Sequence, residues 1–510
     1  MELSAIDIVI FFVWLASVIA ISVYASRREK TGEDYFLAGR KLVWWLIGFS
    51  LIASNISTEQ MVGMSGGGVQ DAGLAIASYE WIAAISLVIV ALFLLPTFLR
   101  LGIFTMPQFL EHRYGKGPRT LMAVYMIAIY VSVILVSVLY SGAVLFQELI
   151  GLNLYVSIWV IGLIAGAYTI YGGLSAVVWS DLLQGAALLI GGSIIAVLAF
   201  AEVGGVSAFA EANADQLHMF LPSSHGILPW TAMIVGIWIP NLYYWGLNQY
   251  ITQRTLGSRS LREGQNGIVF AAFLKILIPF IVVFPGIIAF QLYADEIGGQ
   301  GDRAYPVLIS QLLPGYGLRG LVFAALFGAV MSSLDSQLNS ASTIFTVDIY
   351  ERYIHRDASP RRQLWVGRIA TGVFVLLACA MAPLPGLLGG VFEYIQKFQG
   401  FISPGILTVF VFGMIFRRAR SGTALLAMLV NIPVYGCLLA FLPEMAFLNH
   451  MAITFGACVA VMAVGTLAYP LPEPKEMPGT SKIDLTPSRA AYWLGAVVVA
   501  ITVALYILFW

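Results

Sequence analysis

Seven ionisable side chains stand within stretches otherwise built of apolar residues: Glu59, Glu80, Asp181, Lys275, Asp335, Glu393 and Lys397. A charge at membrane depth is costly and marks a functional site by default. A charged channel would array one sign in rings. Here acids and bases are mixed and scattered over several segments, which points to one compact polar site. Ala329, Ser332 and Ser333 are spaced i, i+3, i+4 and share one helix face. Two hydroxyls there suit a hard cation, or bond back to the carbonyl four residues earlier. Covalent chemistry finds no footing. The chain holds no HExxH, GxSxG or CxxC, Glu111-His112 lacks a second ligand, and His218 and His225 read as solvated in an outer loop. We expect no enzyme.

The segments that must position these groups follow from composition. Of 510 residues 59% are apolar and 11% charged, against about 25% charged in soluble domains. That excludes an ordinary soluble enzyme and a disordered chain. Zero net charge leaves no basic footprint for nucleic acid. Cys379, Cys437 and Cys458 lie in apolar stretches and suggest neither disulfides nor a metal site. A crossing helix needs roughly 20 apolar residues. Fourteen candidates centre near residues 15, 55, 87, 133, 163, 190, 238, 275, 334, 375, 402, 430, 460 and 499. The expectation is an all-α polytopic membrane protein of about 14 transmembrane helices. The first segment ends in Arg27 and Arg28 without a small-residue cleavage site, and reads as a retained span.

Loop charge tests that count. Six groups hold 23 of the 27 Lys and Arg: Arg27 to Lys41, Arg100 to Arg119, Arg254 to Arg262, Arg352 to Arg368, Arg417 to Arg420, and Lys475 to Arg489. All fall on one side if fourteen helices alternate. Basic loops are cytoplasmic, so both termini are predicted outside the cytoplasm. Only Lys275, Arg303, Arg319 and Lys397 remain.

Two spans make poor continuous lipid-facing helices: Gly48 to Gln60 with Met64 to Gly68, and Pro240 to Asn248. Pro240 lacks a backbone donor and clashes with the preceding turn. Broken helices are tolerated where they line a cavity. Paired breaks point to a transporter binding site. They lie five spans apart, which predicts two five-helix inverted repeats, about 44–203 and 228–415, with 1–43 and 416–510 peripheral. The Gly66–Gly68 run alone reads as close helix packing.

Six stretches carry a resemblance: Ser50–Gln60 (SLIASNISTEQ), Ala77–Trp81 (ASYEW), Tyr171–Asp181 (YGGLSAVVWSD), Asn241–Gly246 (NLYYWG), Ala271–Lys275 (AAFLK) and Asn339–Tyr350 (NSASTIFTVDIY). In this order the chain resembles the sodium:solute symporter family, and within it the sodium/glucose and sodium/galactose cotransporters. The resemblance implies a LeuT-type 5+5 inverted-repeat fold and coupled import of sodium and a hexose. It implies that Gln60, Glu80, Asn241, Lys275 and Gln396 hold sugar hydroxyls. Tyr244 would stack on the sugar ring and close the inner side, with Asn55 its polar partner. Met64, Tyr79 and Phe392 would form the outer gate. Sodium would lie among the carbonyls of Ala53, Ile56 and Ala329 and the hydroxyls of Ser332 and Ser333. On residue types alone, Tyr79 and Phe392 read as core, and Glu80 with Lys275 as a structural ion pair.

Three positions depart from the family's pattern. Ala83 replaces a serine of the sugar site, and Lys397 stands near the sugar where an acid occurs. Asp335 lies three residues from Ser332; with Asp181 it would serve a possible second sodium, carry a proton, or pair structurally. The expected partners are a small-molecule sugar, sodium and membrane lipid, with no nucleic acid. The absence of long glycosylatable outer loops suggests a bacterial inner membrane. Other readings are a sugar sensor or sodium-permeable channel on the same fold, or a symporter of another small solute. An anionic solute would call for an added cation.

Overall fold

The computed structural model describes residues 4–26, 36–171, 173–314, 317–388, 390–477, 479 and 483–510. Among them all regular structure is helical, with isolated β-bridges and no strand. With no water in the hydrocarbon core, a helix is the element that satisfies its own backbone groups. Among the described residues ten helical runs are long and apolar enough to cross a membrane. They rise to eleven if Val391–Gln399 and Ser403–Ile415, bent by 44°, count as one. This is a multi-pass membrane protein. Ten of the fourteen expected segments are these runs. Of the other four, those near residues 55, 238 and 402 are bent or interrupted by a break, while the one near 163 is the uninterrupted apolar helix Leu154–Tyr171 of 18 residues.

The breaks are not all where residue types suggest. The first helix half, Trp44–Asn55, ends at Ile56, whose ψ of 105° is extended. Glu59–Gly68 then resumes as a wide π-helix. Gly66 does not break it; a Cβ there would collide with the Gly301 backbone, so this glycine permits close packing. Gly73 ends the passage at φ 54°, ψ −139°, a conformation open to glycine. Pro240 does not break its helix either. It sits in the first turn of Trp238–Leu247, where its missing N–H has no intrahelical partner to lose. The interruption falls at Asn248, with ψ 125°, before Gln249–Leu256.

Two long helices frame these breaks. Leu261–Ile297 has 37 residues, about 55 Å at 1.5 Å per residue, and packs on Trp44–Asn55 and Ser78–Ile89. Leu318–Ile344 packs on Trp44–Asn55, Leu174–Glu202 and Leu154–Tyr171. Every residue from 322 to 344 is buried, polar ones included.

The six basic groups meet on one face. Arg40 donates to the Leu256 and Gly102 carbonyls, Arg352 pairs with Glu111, the Lys475 N–H bonds Arg417 O, and the Leu261 N–H bonds Asp484 O. Arg27, Arg28, Lys30 and Lys482 lie outside the described residues. Asp7 is bonded to the Gly317 and Gly320 N–H groups, and the Phe509 carbonyl accepts from Met219.

Arg113 ties two of the basic groups together. It is 1% exposed and donates to the carbonyls of Gly413, Phe416 and Ala419. These end Ser403–Ile415, whose last carbonyls lack intrahelical donors. Arg113→Ala is expected to cost about 3 kcal/mol, read as a lower unfolding midpoint, with Arg113→Lys restoring part because an ammonium lacks the planar fork.

Candidate functional site

The first break is built by a capping box. Ser57 accepts at Oγ from the Glu59 N–H at 3.3 Å, and the Gln60 side chain reaches back, its Oε1 accepting from the Ser57 N–H at 2.9 Å. One N–H has one main acceptor, so the Ser57 donor that would continue the helix onto Ala53 O is turned away. The Gln60 N–H likewise bonds Ser57 O at 3.2 Å, not Ile56 O. Two carbonyls are thereby released from the helix ladder.

Helix Leu318–Ile344 closes against this end. Ser333 Oγ lies 3.5 Å from Ser54 O, and Ser332 Oγ donates to Asp181 Oδ1 at 2.5 Å. With its proton so directed, Ser332 keeps lone pairs for another partner. Asp181 Oδ2 accepts from Ser50 Oγ at 2.5 Å, Ser54 Oγ at 3.2 Å and Arg254 at 3.1 Å. Arg254 also bonds Ser50 and Ser336. One buried ion pair thus joins Trp44–Asn55 and Gln249–Leu256, one half of each broken segment, to Leu174–Glu202 and Leu318–Ile344. Freed carbonyls with hydroxyls are the oxygen donors a hard cation takes. Asp335 is buried. Its Oδ1 accepts from Thr169 Oγ1 at 2.8 Å, and Oδ2 has no hydrogen-bond partner.

Beside the break lies a cavity with some 670 Å³ of space free of atoms, its opening included. All ten residues expected around a sugar line it. Gln60, Glu80, Asn241, Tyr244, Lys275 and Gln396 do so, and so do Asn55, Met64, Tyr79 and Phe392. Lys275, midway along Leu261–Ile297, pairs with Glu80 of Ser78–Ile89, both buried. Its ammonium lies 5.2 Å from the Trp245 ring, a cation–π contact. Tyr244 Oη accepts from Asn55 Nδ2 at 2.9 Å and from Tyr250 Oη at 2.6 Å. Tyr79 and Phe392 meet edge to face, centroids 5.2 Å apart.

Some of the lining was not foreseen as such. Glu59 reads from sequence as an intramembrane acid, not as a cavity group. Trp245, Tyr250 and Gln399 gave no separate signal, although Trp245 adjoins Tyr244 and Tyr250 follows six residues later. Lys397 does not reach this cavity. It pairs with Glu393 one turn away, and the two line a second cavity on the other side of Phe392, with Asp71, Asp302 and His450. Ala83, one turn from Glu80, is buried and not among the lining residues. His225 is partly exposed, and its Nε2 lies 2.9 Å from Asp71 O.

Asp302 stands at the head of the Phe392 helix, Oδ2 accepting from the Val391 N–H at 3.4 Å. Burial pushes its carboxyl from the ordinary 3.8 up to about 6, opposed by that bond. The folded protein then holds a proton that the unfolded chain has lost, so stability falls as pH rises between about 4 and 6. Asp302→Asn is expected to flatten this step in a pH series of unfolding midpoints.

Released carbonyls lie beside a buried serine pair, next to a polar cavity flanked by the aromatic residues Tyr79, Phe392, Tyr244 and Trp245, in a multi-pass membrane protein. Residues 35–431 match the family described as the sodium:solute symporter family. The chain belongs to that family, whose members are secondary transporters and not enzymes, and sodium is the coupling ion. It is 42% identical to a sodium/glucose cotransporter of Vibrio parahaemolyticus, over 100% of this chain and 99% of that protein. It is 32% identical to sodium/glucose cotransporter 1 of Sus scrofa, over 89% of this chain and 74% of that one. It is 34% identical to sodium/myo-inositol cotransporter 2 of Sus scrofa, over 84% and 68%. Among solved structures, a sodium-coupled sialic acid symporter in a substrate-bound outward-open state matches with TM-score 0.80. It shares 23% identity and covers 93% of this chain and 100% of that one; at that identity it speaks for the fold.

Proposed function

We propose that the protein imports a hexose of the glucose or galactose type together with sodium, by alternating access. The observation that carries this is the contact between the two sites. Gln60 lines the cavity while its Oε1 holds the break open, which leaves its Nε2 for a sugar oxygen. Sodium would lie among the carbonyls of Ala53, Ile56 and Ala329 and the hydroxyls of Ser332 and Ser333. Glu80, Asn241, Lys275 and Gln396 would take hydroxyls that both donate and accept, with Tyr244 beneath the ring. A site that bonds hydroxyls rejects analogues lacking them.

Fourteen spans, ten of them in two five-helix inverted repeats at about 44–203 and 228–415 and the rest peripheral, would accommodate these breaks. The basic face would be cytoplasmic and both termini external, in a bacterial inner membrane as the Vibrio relative suggests. Sodium and sugar stabilise one outward-facing form and favour each other's binding by one coupling free energy. Membrane potential adds about 2.3 kcal/mol per charge per 100 mV. The match to a sodium/myo-inositol cotransporter favours another cyclic polyol as the second reading.

The test is uptake of labelled glucose, galactose and myo-inositol into proteoliposomes with and without an inward sodium gradient. Hexose accumulation that collapses without sodium is expected; uptake indifferent to sodium overturns the proposal. Charge moved per sugar addresses Asp335. A ratio of one, unaltered in Asp335→Ser, removes a second sodium at Asp181 and Asp335.

A further inference from the structure

The cavity's polar groups are out of balance. Its charged lining residues are Glu59, Glu80 and Lys275, and the single base is already bonded to Glu80. Glu59 shares that base only at longer range and makes no ion pair of its own: its Oε2 is buried without a hydrogen bond. Asn55 Oδ1 and Gln396 Oε1 are likewise buried acceptors without donors. A buried acceptor left unmatched is costly, so these three oxygens favour a donor on the ligand, while Gln60 Nε2 and the unpartnered Tyr79 Oη remain for sugar oxygens. The imbalance continues past Phe392, where Asp71, Asp302 and Glu393 line a second cavity with Lys397 and His450, and His225 stands beside Asp71. Lys397 is itself paired with Glu393. A passage lined by an excess of one sign concentrates the opposite sign.

We infer that the cavity also carries a protonated amino sugar, a hexose with one hydroxyl replaced by an ammonium, and excludes acidic sugars, with Glu59 reading the substrate's charge. This rests on the hexose reading of the site. An ammonium brings three donors and no acceptor, matching one carboxylate and two amide oxygens that lack donors. A sugar carboxylate brings acceptors alone. It would meet Glu59 and could gain a cation only by drawing Lys275 from Glu80, which strands a buried charge. Neutral hexoses remain substrates because each hydroxyl supplies a donor.

The test uses the full chain in proteoliposomes with an inward sodium gradient. Unlabelled glucose, glucosamine, N-acetylglucosamine and glucuronate compete against labelled glucose, and labelled glucosamine is followed directly. Glucosamine is expected to be accumulated with sodium and to inhibit within about ten-fold of glucose, with glucuronate weaker by about ten-fold or more. In Glu59→Gln the ratio of the glucosamine to the glucose inhibition constant is expected to rise about ten-fold, whatever the absolute rate, as one charge-assisted bond is lost. Glucuronate competing as well as glucosamine, or no sodium-driven glucosamine uptake, overturns the inference, and both are read in the unmutated protein. An unchanged ratio in Glu59→Gln overturns the role of Glu59. Absence of sodium-driven glucose uptake is a different result and removes the hexose reading instead.

Discussion

Lys275→Met is expected to abolish hexose uptake and to destabilise the protein by about 3–5 kcal/mol, the cost of leaving one member of a buried pair uncompensated. Its partner Glu80 is buried with it, their side chains 1% and 4% exposed. Glu80→Gln leaves the ammonium stranded and is expected to behave alike. The double variant Lys275→Met/Glu80→Gln separates stability from recognition. A buried pair contributes little net stability against neutral side chains of similar volume, so the unfolding midpoint should recover while uptake stays lost. Thermal unfolding in nanodiscs beside sodium-driven uptake reads both quantities. A single variant with an undisturbed midpoint would contradict the pairing; a double variant that transports would contradict the role in sugar binding.

Arg254→Met is expected to have a comparable effect through the cation side. Arg254 is 1% exposed and holds Asp181, Ser50 and Ser336 at once. Its loss leaves Asp181 buried without a counterion, again about 3–5 kcal/mol. Asp181 also accepts the proton of Ser332, so the same change disturbs the orientation of a proposed sodium ligand. Arg254→Lys keeps the charge but not the planar fork. We expect it to fold and to need at least about ten-fold more sodium for half-maximal uptake, a loss of roughly 1.4 kcal/mol. Sodium titrations of uptake check this, and an unchanged sodium requirement in Arg254→Lys would contradict it.

Much of this site is legible in the sequence because apolar surroundings leave polar residues few places to go. Glu80 and Lys275 lie far apart in the chain, yet each is costly alone in a membrane, and they meet. The serine pair on one face of Leu318–Ile344 follows from helical spacing. The resemblance supplied what spacing does not. Tyr79 and Phe392 are apolar bulk by type, and only tertiary placement brings them edge to face on the cavity's lining. The released carbonyls are invisible to side-chain reasoning, although Ser57-Thr-Glu-Gln60 spells a capping box and so announces a helix start in mid-segment. Pro240 misleads because a proline in a first turn is harmless, while Asn248 breaks its helix without any such signal. Lys397 looks like a cavity group until its partner Glu393, one turn back, is seen to hold it beyond Phe392.

The central claim is that a cation at the broken segment and a hexose in the cavity bind as one coupled event, with Gln60 between them. The most direct measurement is hexose affinity in sodium and in choline, paired with sodium affinity with and without hexose, on the purified protein. We predict that each ligand tightens the other by the same factor, on the order of 5- to 150-fold for a coupling of 1–3 kcal/mol. Equal hexose affinity in sodium and in choline would contradict the account.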